Sequence, residues 1–167
     1  MVLVLEQVAE TVAKLHKAAE TAVVRDNRFT GMIVLILPDT SIGAVLPFGP
    51  NGTPPSDEFI ITHAAARRAV GLALTGQYWI GLAPITRQQA ALGPHDLPRP
   101  SETPTGRRNE QIITTAIVRA QNQALRYRTP IHRTAFGVGV GERTETHDTP
   151  AMPTGEAHRL IALLERA

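Results

Sequence analysis

The chain has no cysteine and few aromatic residues. The absence of cysteine from 167 residues excludes disulfide bonds, thiolate metal sites and cysteine nucleophiles, and it fits a cytoplasmic protein. Aromatic residues make up only 4% of the chain, whereas hydrophobic residues make up 43%. The core must therefore consist mainly of Val, Ile, Leu and Ala. At this length we expect residues 1–167 to form a single domain.

Long apolar runs and a strong net charge are also missing. No apolar stretch reaches the roughly 18 residues that a membrane-spanning helix needs. The N-terminus has no basic region and turns acidic at Glu6, so we expect no signal peptide. The formal net charge of +2 is too small to imply a nucleic-acid partner by itself.

Two apolar runs separated by a short polar turn stand near the middle of the first half. Residues 33–37 and 42–48 are bounded by turn residues, which predicts two strands buried on both faces. The turn holds Asp39, Thr40 and Ser41. Because loops on a rigid sheet often carry function, these three residues are candidate substrate contacts.

Helical periodicity marks four other segments. Residues 4–23 place Val and Ala on one face and charged residues elsewhere, with His16 among the exposed positions. Ser56 is a candidate N-cap for a second helix, which carries Arg67 and Arg68 as a possible anion site. Thr154 precedes the last helix. A further helix is predicted from Asn109, with these residues on its buried face: Ile112, Ile113, Ala116, Ile117, Ala120 and Ala124.

The remaining segments are less regular. The sequence predicts a short strand or a core-lining turn at residues 77–85, and it predicts a brief helix at residues 86–92. Residues 93–108 hold four prolines and predict a long loop or lid. Residues 131–140 alternate as a strand does. The loop that follows, residues 141–153, is the richest titratable segment of the chain, with Glu142, Glu145, His147 and Asp148.

Short segments spread along the chain follow an order found in a known enzyme family. In chain order they are Gly31-Met32-Ile33-Val34, Gly43-Ala44-Val45, Arg67, Leu72-Ala73-Leu74-Thr75, Leu82-Ala83-Pro84-Ile85, Thr134-Ala135-Phe136, Val138, Val140 and Leu160-Ile161. In this order they resemble 3,4-dihydroxy-2-butanone 4-phosphate synthase (DHBP synthase), which rearranges ribulose 5-phosphate. The resemblance implies an α+β or α/β fold, in which helices cover one mixed sheet.

The chain departs from this family where the family's chemistry lies. The two glutamates that hold magnesium in DHBP synthase have no counterpart, because their positions fall at Thr40, Ser41 and Ile42. We therefore expect no metal site at residues 39–43 and no cofactor. The positions of the family's phosphate contacts fall at Glu156, Ala157 and Leu160, of which only the acid is kept. The family's last segments would follow Ala167, which favours a homodimer that covers an exposed sheet edge or apolar face.

Three functions remain open on the sequence. The first is a divergent DHBP synthase-like enzyme, of lyase or isomerase type, that acts on a small carbonyl or polyhydroxylated metabolite. His147 would be its general base, because the unperturbed pKa of histidine lies near neutrality, and Asp148 or Glu142 would orient it or supply the acid. Substrate contacts would come from Asp39, Thr40, Ser41, Arg67 and Thr149.

The second is a non-catalytic module that binds a ligand or a partner on the same fold. The third, nucleic-acid binding through Arg107, Arg108, Arg119 and Arg126, is not favoured because no aromatic platform accompanies these residues. A pocket shared by the His147 loop and the Asp39 turn would favour the enzyme. A His147 that faces water would favour the module.

Overall fold

A computed structural model describes residues 4–81, 108–121, 123–148 and 155–167. The described elements, in chain order, are helix α1 (Leu5–Asp26), strands β1 (Met32–Ile36) and β2 (Ile42–Pro47), helix α2 (Asp57–Ala66), strands β3 (Gly71–Gly81), β4 (Arg108–Val118), β5 (Ala124–Thr134), β6 (Gly137–Val140) and β7 (Thr144–Asp148), and helix α3 (Gly155–Arg166). The predicted brief helix at 86–92 lies outside the described residues, and so does the predicted lid at 93–108 except for Arg108, which begins β4.

All seven described strands belong to one sheet, in the order β2-β1-β3-β4-β5-β6, with β7 also paired to β5. Every described pairing is antiparallel. The prediction of an α/β fold with helices on a sheet is confirmed, whereas the prediction of a mixed sheet is wrong. Tight turns join β1 to β2, β4 to β5 and β5 to β6, and strands joined by such turns can only run antiparallel.

The helices cover the sheet from two sides. Helix α1 packs Leu5, Val8 and Val12 against a face that includes Val34 and Leu125. Helices α2 and α3 cover the opposite face, and the core there is made of Ile33, Leu35, Leu72, Ile117 and residues from both helices. Ser56 caps α2 by accepting a hydrogen bond from the Phe59 backbone, as predicted. We call the first side the α1 face and the second side the α3 face.

Strand β1 is buried as predicted, but β2 is not buried on both faces. It lies at the edge of the sheet and exposes nearly half of Ile42 and Val45. The predicted strand at 131–140 is in fact a hairpin, because residues 135 and 136 form the turn between β5 and β6. The predicted loop at 141–153 contains β7, which pairs with the first half of β5.

The largest error concerns residues 109–128, where strands β4 and β5 replace the predicted helix. Residues 112–118 are buried on both faces of the sheet, so they lack the alternation of exposed polar and buried apolar residues that usually marks a strand. Six of these seven residues are Ile, Thr or Val with stiff β-branched side chains, which suit a strand better than a helix. Ala120, predicted to be buried, is exposed in the β4–β5 turn with a φ of 64°.

His16, predicted to be exposed, is fully buried between α1 and the sheet. Its Nδ1 lies 2.7 Å from Thr114 Oγ1, and its Nε2 lies 2.7 Å from Thr129 Oγ1. The helix therefore presents a polar side chain where β4 and β5 present hydroxyl groups. Helical periodicity in the sequence cannot reveal these hydrogen bonds, because both threonine partners lie about a hundred residues away in the chain.

Candidate functional site

A cleft of about 500 Å³ opens on the α3 face, next to the start of α3. Its lining residues are Tyr78, Trp79, Ile80, Ile113, Arg126, Arg128, Glu156 and Arg159. Three of the eight are arginines, and we call this site the arginine cleft. Its volume falls in the range of small-molecule sites.

The strand register places two of the arginines side by side. Arg126 pairs with Thr115 and Arg128 pairs with Ile113 in the β4–β5 ladder. Residues two apart on a strand point to the same face, so both side chains belong to the α3 face. Arg126 is only 3% exposed, and its Nε donates to Thr115 Oγ1 at 3.3 Å.

Two buried polar atoms on this face have no hydrogen-bond partner among the described residues. They are Arg128 Nε, a donor, and Gln111 Oε1, an acceptor. Gln111 pairs with Tyr78 across the β3–β4 ladder, two positions from Ile113, the partner of Arg128. Leaving such an atom unpaired costs about 1–3 kcal/mol. Arg128 lines the cleft, so a ligand there can pair its Nε, whereas Gln111 is not among the lining residues.

Helix α3 supplies the remaining polar side chains. Arg159 donates to Asp57 Oδ1 at 2.8 Å, which ties α3 to the start of α2. The Tyr78 hydroxyl donates to the Glu156 carboxylate. Burial first, and then the charge and hydrogen bond of Glu156, raise the pKa of Tyr78, so the phenol is neutral. Arg159 is thus already paired with Asp57, whereas Arg128 Nε has no partner among the described residues. Guanidinium groups recognise carboxylates and phosphates in paired hydrogen bonds.

A second cavity of about 260 Å³ adjoins the arginine cleft, and Tyr78 lines both. Phe48 and Arg28 also line it. Two glycines make room for its aromatic rings. A Cβ atom on Gly31 would lie 2.8 Å from the Phe48 ring, and one on Gly76 would lie 3.0 Å from the Tyr78 ring. We call this cavity the aromatic cavity.

The structure places the predicted site residues apart from one another. Asp39, Thr40 and Ser41 form the β1–β2 turn, where Asp39 accepts hydrogen bonds from the Ser41 hydroxyl and backbone, which lower the pKa of Asp39. Arg67 caps the C-terminus of α2, exposed, and contacts His63 Nδ1 at 2.9 Å. These residues line neither of the two cavities above.

The predicted catalytic residues lie on and beside β7, which pairs with β5, whereas the β1–β2 turn lies at the opposite edge of the sheet. His147 is about half exposed, with its Nε2 3.1 Å from Glu145 Oε1, and Glu142 is exposed. Asp148 ends β7 opposite Ala124. Thr149 lies outside the described residues. His147 thus has Glu145 as a neighbour, and the catalytic role of His147 stays a prediction.

Sequence reasoning missed the arginine cleft because the sequence predicts a single helix over residues 109–128, which includes both Arg126 and Arg128. Read as a strand, the pattern Leu125-Arg126-Tyr127-Arg128-Thr129 alternates with period two and places both arginines on one face. Arg126, also proposed as a nucleic-acid contact, is 3% exposed and lines the arginine cleft. Arg119 lies in the β4–β5 turn and donates to the Ala69 carbonyl at 3.5 Å.

Two absences hold for residues 4–81, 108–121, 123–148 and 155–167. Within these ranges, no three His, Asp or Glu residues lie close enough together to hold a metal ion. Nor does any helix in them combine the length and the apolarity that a bilayer crossing requires.

Comparisons of the chain with protein-family models, with curated proteins and with solved structures found no match. The relationship to DHBP synthase therefore stays a prediction. The function must be inferred from the site itself.

Proposed function

We propose that this protein binds a small anionic metabolite in the arginine cleft. The observation that carries the proposal is the row of guanidinium groups from Arg126, Arg128 and Arg159 in one concave site of about 500 Å³. Arg128 Nε is buried there without a partner among the described residues. A phosphate or carboxylate group would supply the missing acceptor.

A ligand of this kind agrees with the non-catalytic alternative predicted from the sequence. It also agrees with the resemblance to DHBP synthase, since that family acts on a sugar phosphate. The enzyme hypothesis has one observation in its favour, the 3.1 Å contact through which Glu145 can orient His147. Because this pair lines neither cavity, binding in the arginine cleft does not depend on it. A cytoplasmic location stays a prediction.

We expect Arg128→Gln to weaken the binding of a phosphorylated ligand by roughly tenfold to a hundredfold, the contribution of a hydrogen bond to a charged group. Isothermal titration with inorganic phosphate, ribose 5-phosphate and citrate would measure this. Arg25→Gln is the matched control, because Arg25 is exposed at the end of α1 and paired with Asp26.

His147→Ala separates the two hypotheses in the same titration. Unchanged anion affinity in this variant, together with loss of affinity in Arg128→Gln, supports the arginine cleft. Equal affinity in wild type and Arg128→Gln, or no binding of any of the three anions by the wild type, would refute the proposal.

We also propose that a second copy of the chain covers the exposed edge of β2, forming a homodimer. An open edge strand with apolar side chains is normally covered, and Ile42 and Val45 are each nearly half exposed there. Sedimentation should give a dimer for the wild type and a monomer for Val45→Lys. The control Val24→Lys, on an equally exposed valine of α1, should stay dimeric. A wild-type monomer at all accessible concentrations would rule the dimer out.

A further inference from the structure

We propose that the ligand of the arginine cleft carries a flat aromatic ring, and that this ring occupies the aromatic cavity. This inference rests on the proposed function, because it assumes that the anionic group lies against the arginines. The inference adds a chemical class to the proposed function: the ligands are aromatic anions, such as nucleoside monophosphates, rather than anions in general.

The two cavities are neighbours, and we infer that one molecule occupies both. Tyr78 lines both of them. Gly76, which lies under the Tyr78 ring, pairs with Ile113, and Ile113 pairs with Arg128. Neighbouring strands lie about 4.8 Å apart, so Gly76 and Arg128 are separated by roughly 10 Å. A ligand with a ring at one end and an anionic group at the other spans such a distance.

The aromatic cavity is built to receive a ring. Phe48 and Tyr78 both line it, and each is seated directly on the backbone of a glycine. The Phe48 backbone donates to the Gly31 carbonyl at 2.8 Å, and Glu156 holds the Tyr78 hydroxyl. Rings fixed in this way offer stacking surface at little further entropic cost. Arg28, on the wall of the same cavity, can add a cation–π contact.

The test compares three probe types on the wild-type protein. These are the nucleoside 5′-monophosphates, which carry ring and anion, the nucleosides, which carry the ring alone, and ribose 5-phosphate, which carries the anion alone. Isothermal titration gives the affinities. Fluorescence of Trp79, the only tryptophan and a lining residue of the cleft, reports whether binding occurs there.

We expect at least one ring-bearing phosphate to bind roughly fivefold to a hundredfold more tightly than ribose 5-phosphate, the range for stacking one base on an aromatic side chain. Phe48→Leu should remove most of this advantage while leaving the affinity for ribose 5-phosphate unchanged. Phe136→Ala is the control, because Phe136 is fully exposed at the β5–β6 turn. Tyr78→Leu, compared with Tyr78→Phe, repeats the test if Phe48→Leu fails to fold.

The outcomes separate this inference from the proposed function. If ribose 5-phosphate binds as tightly as every ring-bearing phosphate, the aromatic inference is wrong and the anion site stands. If ring-bearing phosphates and nucleosides bind equally well and Arg128→Gln has no effect, the anion site is wrong. If no phosphate binds to the wild type, both are refuted.

Discussion

Replacing His16 with leucine is expected to lower the free energy of unfolding by about 3 kcal/mol, because it leaves several buried polar groups without partners. His16 connects two threonine hydroxyls, and Thr129 in turn donates to Glu20 Oε1 at 2.7 Å. Thr114 also contacts the Thr75 hydroxyl. Urea denaturation of wild type and variant would measure the loss. His158→Leu, at an exposed position of α3, is the control and should change little.

The direction of these hydrogen bonds follows from the carboxylate at one end. The Glu20 carboxylate can only accept hydrogen bonds, so the Thr129 hydroxyl donates its proton to Glu20. The Thr129 oxygen must then accept a hydrogen bond from His16 Nε2–H. His16 Nδ1 then accepts from Thr114, and Thr114 accepts from Thr75. The chain therefore runs in one direction from Thr75 to Glu20 and requires neutral histidine with its proton on Nε2.

This arrangement predicts a pH dependence of stability. Burial lowers the pKa of His16 to about 4, an effect that Glu20 opposes and the charge of Arg143 reinforces. The unfolded chain binds the proton near pH 6.5, so the unfolded state holds more protons between pH 6.5 and about 4. The stability contributed by this group is thus complete above pH 6.5 and falls by about 3 kcal/mol as the pH drops to about 4.

The difference between wild type and His16→Gln isolates this effect from the titration of the carboxylates. We expect the stability advantage of the wild type to shrink steadily as the pH falls from 6.5 to 4. A constant difference over this range would contradict the expectation. It would mean that His16 takes up its proton as readily in the folded as in the unfolded protein.

Arg133→Met is expected to cost about 3 kcal/mol, the lower end of the range for removing one partner of a buried ion pair, because Arg133 itself is partly exposed. Arg133 donates to both oxygens of Glu110, at 2.6 and 2.7 Å, and Glu110 is 5% exposed. Gln77 also donates to Glu110, and Arg133 reaches back to Asn27 at the end of α1. The variant leaves the Glu110 carboxylate buried with only Gln77.

Two companion variants test the cause of this loss. Replacing both partners, in Arg133→Met with Glu110→Leu, should restore most of the stability, because no buried charge is then left. Arg133→Lys keeps the charge but not the paired hydrogen bonds, so an intermediate loss is expected. If the double variant is less stable than Arg133→Met, the loss has another origin than the unpaired carboxylate.

Acid should weaken the same contact. Burial raises the pKa of Glu110, but the hydrogen bonds from Arg133 and Gln77 and the charge of Arg133 together outweigh burial and leave the pKa below its usual range. A lowered carboxyl pKa stabilises the fold above the pKa of the unfolded chain and loses this effect as the pH falls through the folded pKa. The stabilising effect of Glu110 is therefore lost at a lower pH than that of His16, so the two pH effects can be distinguished.

The elements that local sequence determines are those whose signals are complete within one segment. The amphipathic period of α1, the Ser56 cap of α2 and the apolar run of β1 each arise from residues close together in the chain, and the structure has all three. A helix with one apolar stripe and a short β-branched run between turns have few alternatives. This is why the helix-on-sheet architecture was predictable.

Only the tertiary structure decided that residues 108–134 form two strands, because the burial of β4 on both faces hides the period that identifies a strand. That one decision also sets the site. Pairing with β4 brings Arg126 and Arg128 to the α3 face and Thr129 to the α1 face, where it meets His16. These contacts join residues far apart in the chain, and helical and strand periods describe only near neighbours. The buried histidine and the arginine cleft therefore follow from the strand register, which no local pattern in the chain specifies.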